Sequence, residues 1–285
     1  MDRVILGDNQ FFGVNHMSEE KARAQAMKFS TVEAMMNVID LAMETGINTF
    51  MCTTHDRVAE ICNHMRANPA KYANYNIYPC MPYAYKYANA ITELGVVGAL
   101  RQFAFKDLLN MAIRGSRTIV TRNFTELILM LIDAEMNMFK QLNTEVIFIQ
   151  NITVDLMLGL GMREPFVEFA RHVEKKYGAE PAFQTMNLPM LLQALEACDI
   201  KNPIVCSSIN KIGFRMCGGR RTYENLLREK QCRPIAMSVF ASGAIPTKDA
   251  IEYVCGIKEI ESIVFGASTR AHIEETKALI DDLSQ

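Results

Sequence analysis

The most constraining feature of this chain is an alternation. Short runs rich in β-branched and aromatic residues recur between longer stretches whose apolar residues fall at helical spacing. Eight such runs can be read, at residues 4–6, 47–52, 76–80, 146–150, 182–185, 203–208, 234–240 and 262–265. Parallel strands need a crossover between them and a helix supplies it, so the alternation predicts parallel β/α units. A doubly wound open sheet is the alternative. A count of eight favours closure into a (β/α)₈ TIM barrel, and 285 residues lie within the usual size of one. No Pro/Gly/Ser-rich linker interrupts residues 1–285, so a single domain is expected.

The helices carry start and stop signals. Ser30-Thr31-Val32-Glu33 has the form of a capping box with Ser30 as its N-cap. Val32, Met35, Met36, Ile39 and Met43 then follow at helical spacing, and Gly46 stands where a C-terminal glycine belongs. Residues 18–29 predict a helix too polar for the core, lying over a barrel mouth. Further helices are predicted at 58–65, at 165–177, from Pro189 with Asn187 as N-cap, up to Gly256 with Thr247 as N-cap, and over 269–283. One helix suffices between the third and fourth strands, so 92–142 is expected to hold a helical insertion.

Composition excludes several classes. Hydrophobic residues make up 49% and charged residues 22%, too apolar for disorder. A net charge of −2 gives no field to attract nucleic acid or an anionic membrane. The apolar run 127–132 is ended by Asp133 and Glu135, too short for a bilayer. The chain passes from Met-Asp-Arg straight into its first strand, without the pattern of a signal peptide. The eight cysteines stand singly with no C-x-x-C pair, which fits reduced thiols and a cytoplasmic protein. The 19 Met and absent Trp suggest a pliable core.

Several segments resemble the aldo-keto reductases, in order along almost the whole chain. Ile5-Leu6-Gly7 is similar to that family's opening strand and turn, and residues 41–50 to its A-x-x-x-G-I-N-x-F segment. Residues 235–243 resemble the seventh strand with its loop, and 263–268 the eighth strand with its phosphate-holding loop. The resemblance implies the same barrel and NADP as a cofactor, with Ser238, Gly266, Ala267, Ser268, Thr269 and Arg270 as its contacts. It also implies an Asp, a Tyr, a Lys and a His around a hydride-transfer site. At those places this chain has Met51, the stretch Thr53-Thr54-His55-Asp56, Met81-Pro82 and Gln150. Ordinary carbonyl reduction is therefore not expected. Tyr83 or Tyr85 with Lys86 would be a substitute phenol–ammonium pair, from a different strand.

In such barrels chemistry collects at the C-terminal ends of the strands. Those ends are rich in amides and hydroxyls. Asp8 and His55 form the best acid–base pair, a carboxylate orienting an imidazole, against the plainer expectation that Asp8 caps its turn. His16 would make a third metal ligand, but no H-x-H or H-x-x-x-H spacing supports a metal, and none is predicted. Lys86 and Lys211 follow strands, where a desolvated lysine can form a Schiff base. Gly266-Ala267-Ser268-Thr269 before a helix offers backbone N–H groups to an anion, with Arg270 or His272 adding charge. Arg215 and Gly218-Gly219-Arg220-Arg221 form a basic stretch that would close over an anionic substrate. Cys52, Cys80 and Cys206 are read as core residues.

Three functions stay open. One is an enzyme, or former enzyme, that binds a phosphorylated or nucleotide-bearing small molecule, with Asp8, His55 and Lys86 as catalytic candidates. Another is a Schiff-base or metal-assisted lyase or isomerase acting on a sugar or sugar phosphate. The third is a non-catalytic binding or regulatory protein. The sequence leaves the oligomeric state open.

Overall fold

A computed structural model describes residues 1–13, 19–84, 86, 124–229 and 231–284, with Lys21 and Ala22 described by backbone alone. His16, Tyr85 and residues 92–123 of the expected insertion lie outside the described residues. Eight strands form the sheet: β1 (Val4–Leu6), β2 (Thr49–Thr53), β3 (Asn76–Met81), β4 (Val146–Ile149), β5 (Glu180–Thr185), β6 (Ile204–Ser208), β7 (Arg233–Met237) and β8 (Ser262–Phe265). Every neighbouring pair is parallel and in sequence order, and β8 pairs with β1 to close the barrel.

Successive strand residues point to opposite faces, so each strand divides its side chains between two cores. Met51, Tyr78, Phe148, Cys206, Ile235 and Val264 pack together inside the barrel. Leu6, Phe50, Ile147, Phe183, Val205 and Ile263 pack outward against the helices. The interior is thus filled rather than hollow, with large residues doing the filling in a chain without Trp. Cys52, Cys80 and Cys206 are buried in the strands, as expected of core residues.

The described helices are α1 (Glu19–Lys28), α2 (Val32–Glu44), α3 (Asp56–Ala67), α4 (Phe124–Met136), α5 (Asn151–Gly159), α6 (Glu164–Tyr177), α7 (Leu188–Glu196), α8 (Arg220–Arg228), α9 (Thr247–Cys255) and α10 (Arg270–Leu283). Among the described residues, no helix is long and apolar enough to cross a membrane. The expected α2 signals survive with a shift of one residue. Thr31, not Ser30, is the N-cap, and its hydroxyl accepts from Ala34 N at 3.3 Å. Glu33 then lies one residue too early to close the box. At the other end, Gly46 N donates to Met43 O and Ile47 N to Ala42 O, a Schellman pair that the left-handed Gly46 makes without strain.

Two other expectations are corrected. Pro246, not Thr247, stands at the N-cap of α9, and Thr247 is the first helical residue. β7 stops at Met237 rather than running to 240, because Ser238 takes a φ of +55° and turns the chain. The sequence reading also passed over α5. Its apolar residues lie all round, with Val154, Met157 and Leu158 buried while Leu156 and Leu160 are exposed. That pattern shows no single stripe from which a helix could be read.

Candidate functional site

The inward alternation of the strands carries past their ends into the mouth, where Gly7, Thr53, Gln150, Gln184, Ser208, Met237 and Gly266 follow the filled layers. Asp8, just after β1, is 7% exposed. Its Oδ2 accepts from Thr53 N at 2.7 Å and from Thr53 Oγ1 at 2.8 Å, so it ties the ends of β1 and β2 together. It does not cap the 3₁₀ turn Asn9–Phe12 that follows it. Burial raises its pKa from 3.8 to about 6, and the two Thr53 bonds only partly oppose that. Its own backbone N–H also donates to the carboxyl, and Thr53 is its one side-chain partner among the described residues. A buried carboxyl with a pKa near neutrality at a barrel mouth is equipped to exchange a proton with a ligand.

His55 is the N-cap of α3, and its Nδ1 accepts from Arg57 N at 3.2 Å. Its ring stacks on Phe12 at 4.2 Å between centroids and tilts toward Tyr83 at 6.0 Å. Partial burial lowers its pKa, opposed by Asp56 and reinforced by Arg57 and Lys86. With Nδ1 accepting, the neutral ring carries its proton on Nε2 and presents a donor. No hydrogen bond joins Asp8 to His55: the structure gives each its own backbone partner.

Lys86 Nζ lies 3.6 Å from Asp56 Oδ1, while Lys211 pairs with Asp249 at 3.0 Å. Arg215 lies over the Phe214 ring at 5.4 Å, and Arg220 pairs with Glu224 at 3.2 Å. Among the described residues no three His, Cys, Asp or Glu side chains gather as metal ligands. Met51, where the resemblance would put an Asp, is buried inside the barrel.

Glu135, on α4, is a mouth residue the sequence reading missed. It is buried, its Oε2 accepts from Thr54 Oγ1 at 2.6 Å, and its carboxylate accepts from Tyr83 N at 3.1 and 3.2 Å. It thereby joins the loops after β2 and β3. The available signal was its place on the buried stripe of Ile128 and Ile132, at i+7 and i+3. Gln150 Oε1 accepts from Ala84 N at 3.1 Å, Gln184 Oε1 from Asn151 N at 3.2 Å, and Ser208 Oγ donates to Ser238 Oγ at 3.3 Å.

The loop Gly266-Ala267-Ser268-Thr269 leads from β8 into α10, and Thr269 Oγ1 caps that helix by accepting from His272 N at 3.4 Å. A Cβ on Gly266 would stand 2.4 Å from Gln10 Oε1. Gln10 is buried, its Nε2 donates to Gly7 O at 2.7 Å, and its Oε1 has no partner. Arg270 is turned to Glu44 at 2.6 Å and Glu274 at 3.2 Å. The cation at the loop is instead Lys28, from the end of α1, whose Nζ donates to Ser268 O at 2.6 Å. Lys28 makes no ion pair among the described residues, and Phe29 beside it is buried edge-on against Phe11. α1 is thus fixed at the mouth.

No protein-family model matches the chain, and no curated protein matches it. Solved structures do. A putative aldo-keto reductase from Pseudomonas aeruginosa superposes with a TM-score of 0.63 at 11% identity, over 100% of this chain and 91% of its own. A putative 2,5-diketo-D-gluconic acid reductase B gives 0.56 at 10% identity, over 98% and 82%. A variant of Gox0644 in complex with NADPH gives 0.53 at 8% identity, over 98% and 83%. At such identities the likeness establishes the fold: this chain has the barrel of the aldo-keto reductases.

Proposed function

We propose that the mouth of this barrel binds a phosphorylated or nucleotide-bearing small molecule and does not carry out ordinary carbonyl reduction. The observation that carries the proposal is Lys28. An ammonium without a carboxylate partner among the described residues sits on Ser268 O, beside a capped helix N-terminus and a glycine whose Cβ position is crowded by the Gln10 side chain. A phosphate there would meet backbone N–H groups, the positive end of α10 and a mobile-tipped cation. NADPH fits this donor set, with Gly266, Ala267, Ser268, Thr269 and Lys28 around its phosphate and Ser238 nearer the reacting end; when bound it would supply a hydride. Arg270 contributes less than the resemblance implies, because two carboxylates already hold it.

The acid–base group of this mouth is Asp8. Reduction through a phenol needs a tyrosine beside a cation, whereas Lys86 is ion-paired with Asp56. A carboxyl with a pKa of about 6 suits proton transfer to or from a carbonyl or sugar-like ligand. Neutral His55 would donate Nε2–H to the ligand's oxygen.

NADPH fluorescence tests the cofactor half. Titration with the protein should give a saturable change, and Lys28→Glu should weaken it by about tenfold, as expected for reversing a charge at a phosphate. No fluorescence change up to high micromolar protein would remove NADPH, and an unaltered affinity in Lys28→Glu would remove the role given to the β8 loop.

A further inference from the structure

Two carboxamides in the mouth are fixed by their oxygens, which leaves their nitrogens for a ligand. Gln150 Oε1 accepts from Ala84 N, and Gln184 Oε1 accepts from Asn151 N. A backbone N–H is satisfied only by the oxygen end of an amide, so the orientation of both side chains is determined. Gln150 Nε2 has no acceptor among the described residues and is not sealed from solvent. Gln184 Nε2 reaches only Met237 Sδ at 3.5 Å. Met237 belongs to β7, two strands away, so this NH₂ points across the barrel interior toward a weak thioether acceptor that an oxygen would displace.

The two residues are neighbours at the strand ends. Ile149 pairs in register with Phe183, so residues 150 and 184 form the next rung on strands about 4.8 Å apart. Both continue the inward face of Phe148 and Ala182, which are buried and apolar beneath them. The result is a pair of immobilised NH₂ groups, donors only, over a dry floor. A lone carbonyl oxygen engages one such group well. A carboxylate has two oxygens and about four acceptor sites, which matches two NH₂ groups on neighbouring strands.

We infer that Gln150 and Gln184 form a carboxylate-binding subsite, and that the ligand of this mouth is a small organic acid. The inference rests on the proposed function only in placing the ligand in the same mouth. The carboxylate subsite is separate from the phosphate loop after β8, so the two can fail independently.

Pyruvate is the probe, titrated by calorimetry, with hydroxyacetone as its neutral counterpart, each with and without NADPH. Wild-type protein should bind pyruvate saturably and hydroxyacetone at least about tenfold more weakly. Gln150→Glu and Gln184→Glu each keep an oxygen for the backbone N–H and replace the NH₂ with an acceptor, so each should weaken pyruvate by about tenfold or more. Gln184→Met, similar in length and lacking N–H, should do the same if the glutamate variant does not fold. Lys28→Glu should leave pyruvate binding unchanged even where it abolishes the NADPH response. The subsite is overturned by absent pyruvate binding, by equal binding of hydroxyacetone, or by a loss confined to one of the two glutamines.

Discussion

Replacing Asp8 by Asn should make this protein more stable at neutral pH, and the gain should disappear in acid. The Asp8 carboxyl is raised from 3.8 to about 6 by burial, so the folded chain holds its proton more tightly than the unfolded chain does. Between those values the native state binds more protons, and stability falls as pH rises. Above pH 6 the ionised group costs about 3 kcal/mol, at 1.36 kcal/mol per pH unit. Asn removes the charge and, with its oxygen in the place of Oδ2, can still accept from both Thr53 N and Thr53 Oγ1. The net gain at pH 7.5 is therefore about 3 kcal/mol, which for a chain of 285 residues raises Tm by roughly 5 °C. At pH 4, where the folded carboxyl is protonated, the two proteins should differ by less than about 1 kcal/mol. Urea unfolding of both proteins from pH 4 to 7.5 measures this, and their difference cancels other carboxylates such as Asp133, whose pKa hydrogen bonds from His172, Lys176 and Tyr177 lower against the effect of burial. A difference that stays constant across that range, or one that favours wild type as pH rises, refutes the account of Asp8. Any proton-transfer activity should be lost in the variant that gains stability.

Gly266→Ala drives a Cβ to 2.4 Å from Gln10 Oε1, and Gln10 cannot swing aside without breaking its bond to Gly7 O. A loss of about 1–3 kcal/mol is expected from overpacking, measurable by thermal melting, and Gln10→Ala in the same chain should recover most of it. Glu135→Leu strands Thr54 Oγ1 and Tyr83 N in a buried place and should cost about 3 kcal/mol or more in urea unfolding. Glu135→Gln, which keeps one acceptor oxygen, should cost less than half of that.

The barrel was legible because periodicity is a property of backbone geometry that sequence records directly. Every predicted strand run overlaps an observed strand, and misplacement is confined to ends. Those ends moved for local reasons: Thr31 took the cap one residue late, and Ser238 entered the left-handed region and stopped β7. The mouth was only partly legible. Asp8, Gln150 and Gln184 could be placed at strand ends, but the partners that define their chemistry come from elsewhere in the chain. Thr53 N holds Asp8 from 45 residues away, and Asn151 N holds Gln184 from 33. Lys28 was invisible because only folding brings α1 over a loop 240 residues distant.

The two ends of the barrel differ in how they are stabilised, and the difference points to the mouth. At the N-terminal end Arg233 bonds Glu180 at 2.5 Å and Glu261 at 3.2 Å, charges paired where strands begin. At the C-terminal end Asp8 is buried without a cation, Gln10 Oε1 is buried without a donor, and Ser238, Ala241 and Ser242 all hold positive φ. Each of these features opposes folding, by desolvation, by an unmet hydrogen bond or by backbone strain. Unmet hydrogen bonds and positive φ recur at the N-terminal end, at Tyr75 Oη and at Gln141, Asp199 and Asn202, so what sets the mouth apart among the described residues is the buried Asp8 carboxyl without a cation. A buried carboxyl kept at the mouth against the cost of its desolvation is what a preorganised binding site requires, which is why Asp8→Asn is the first variant to make.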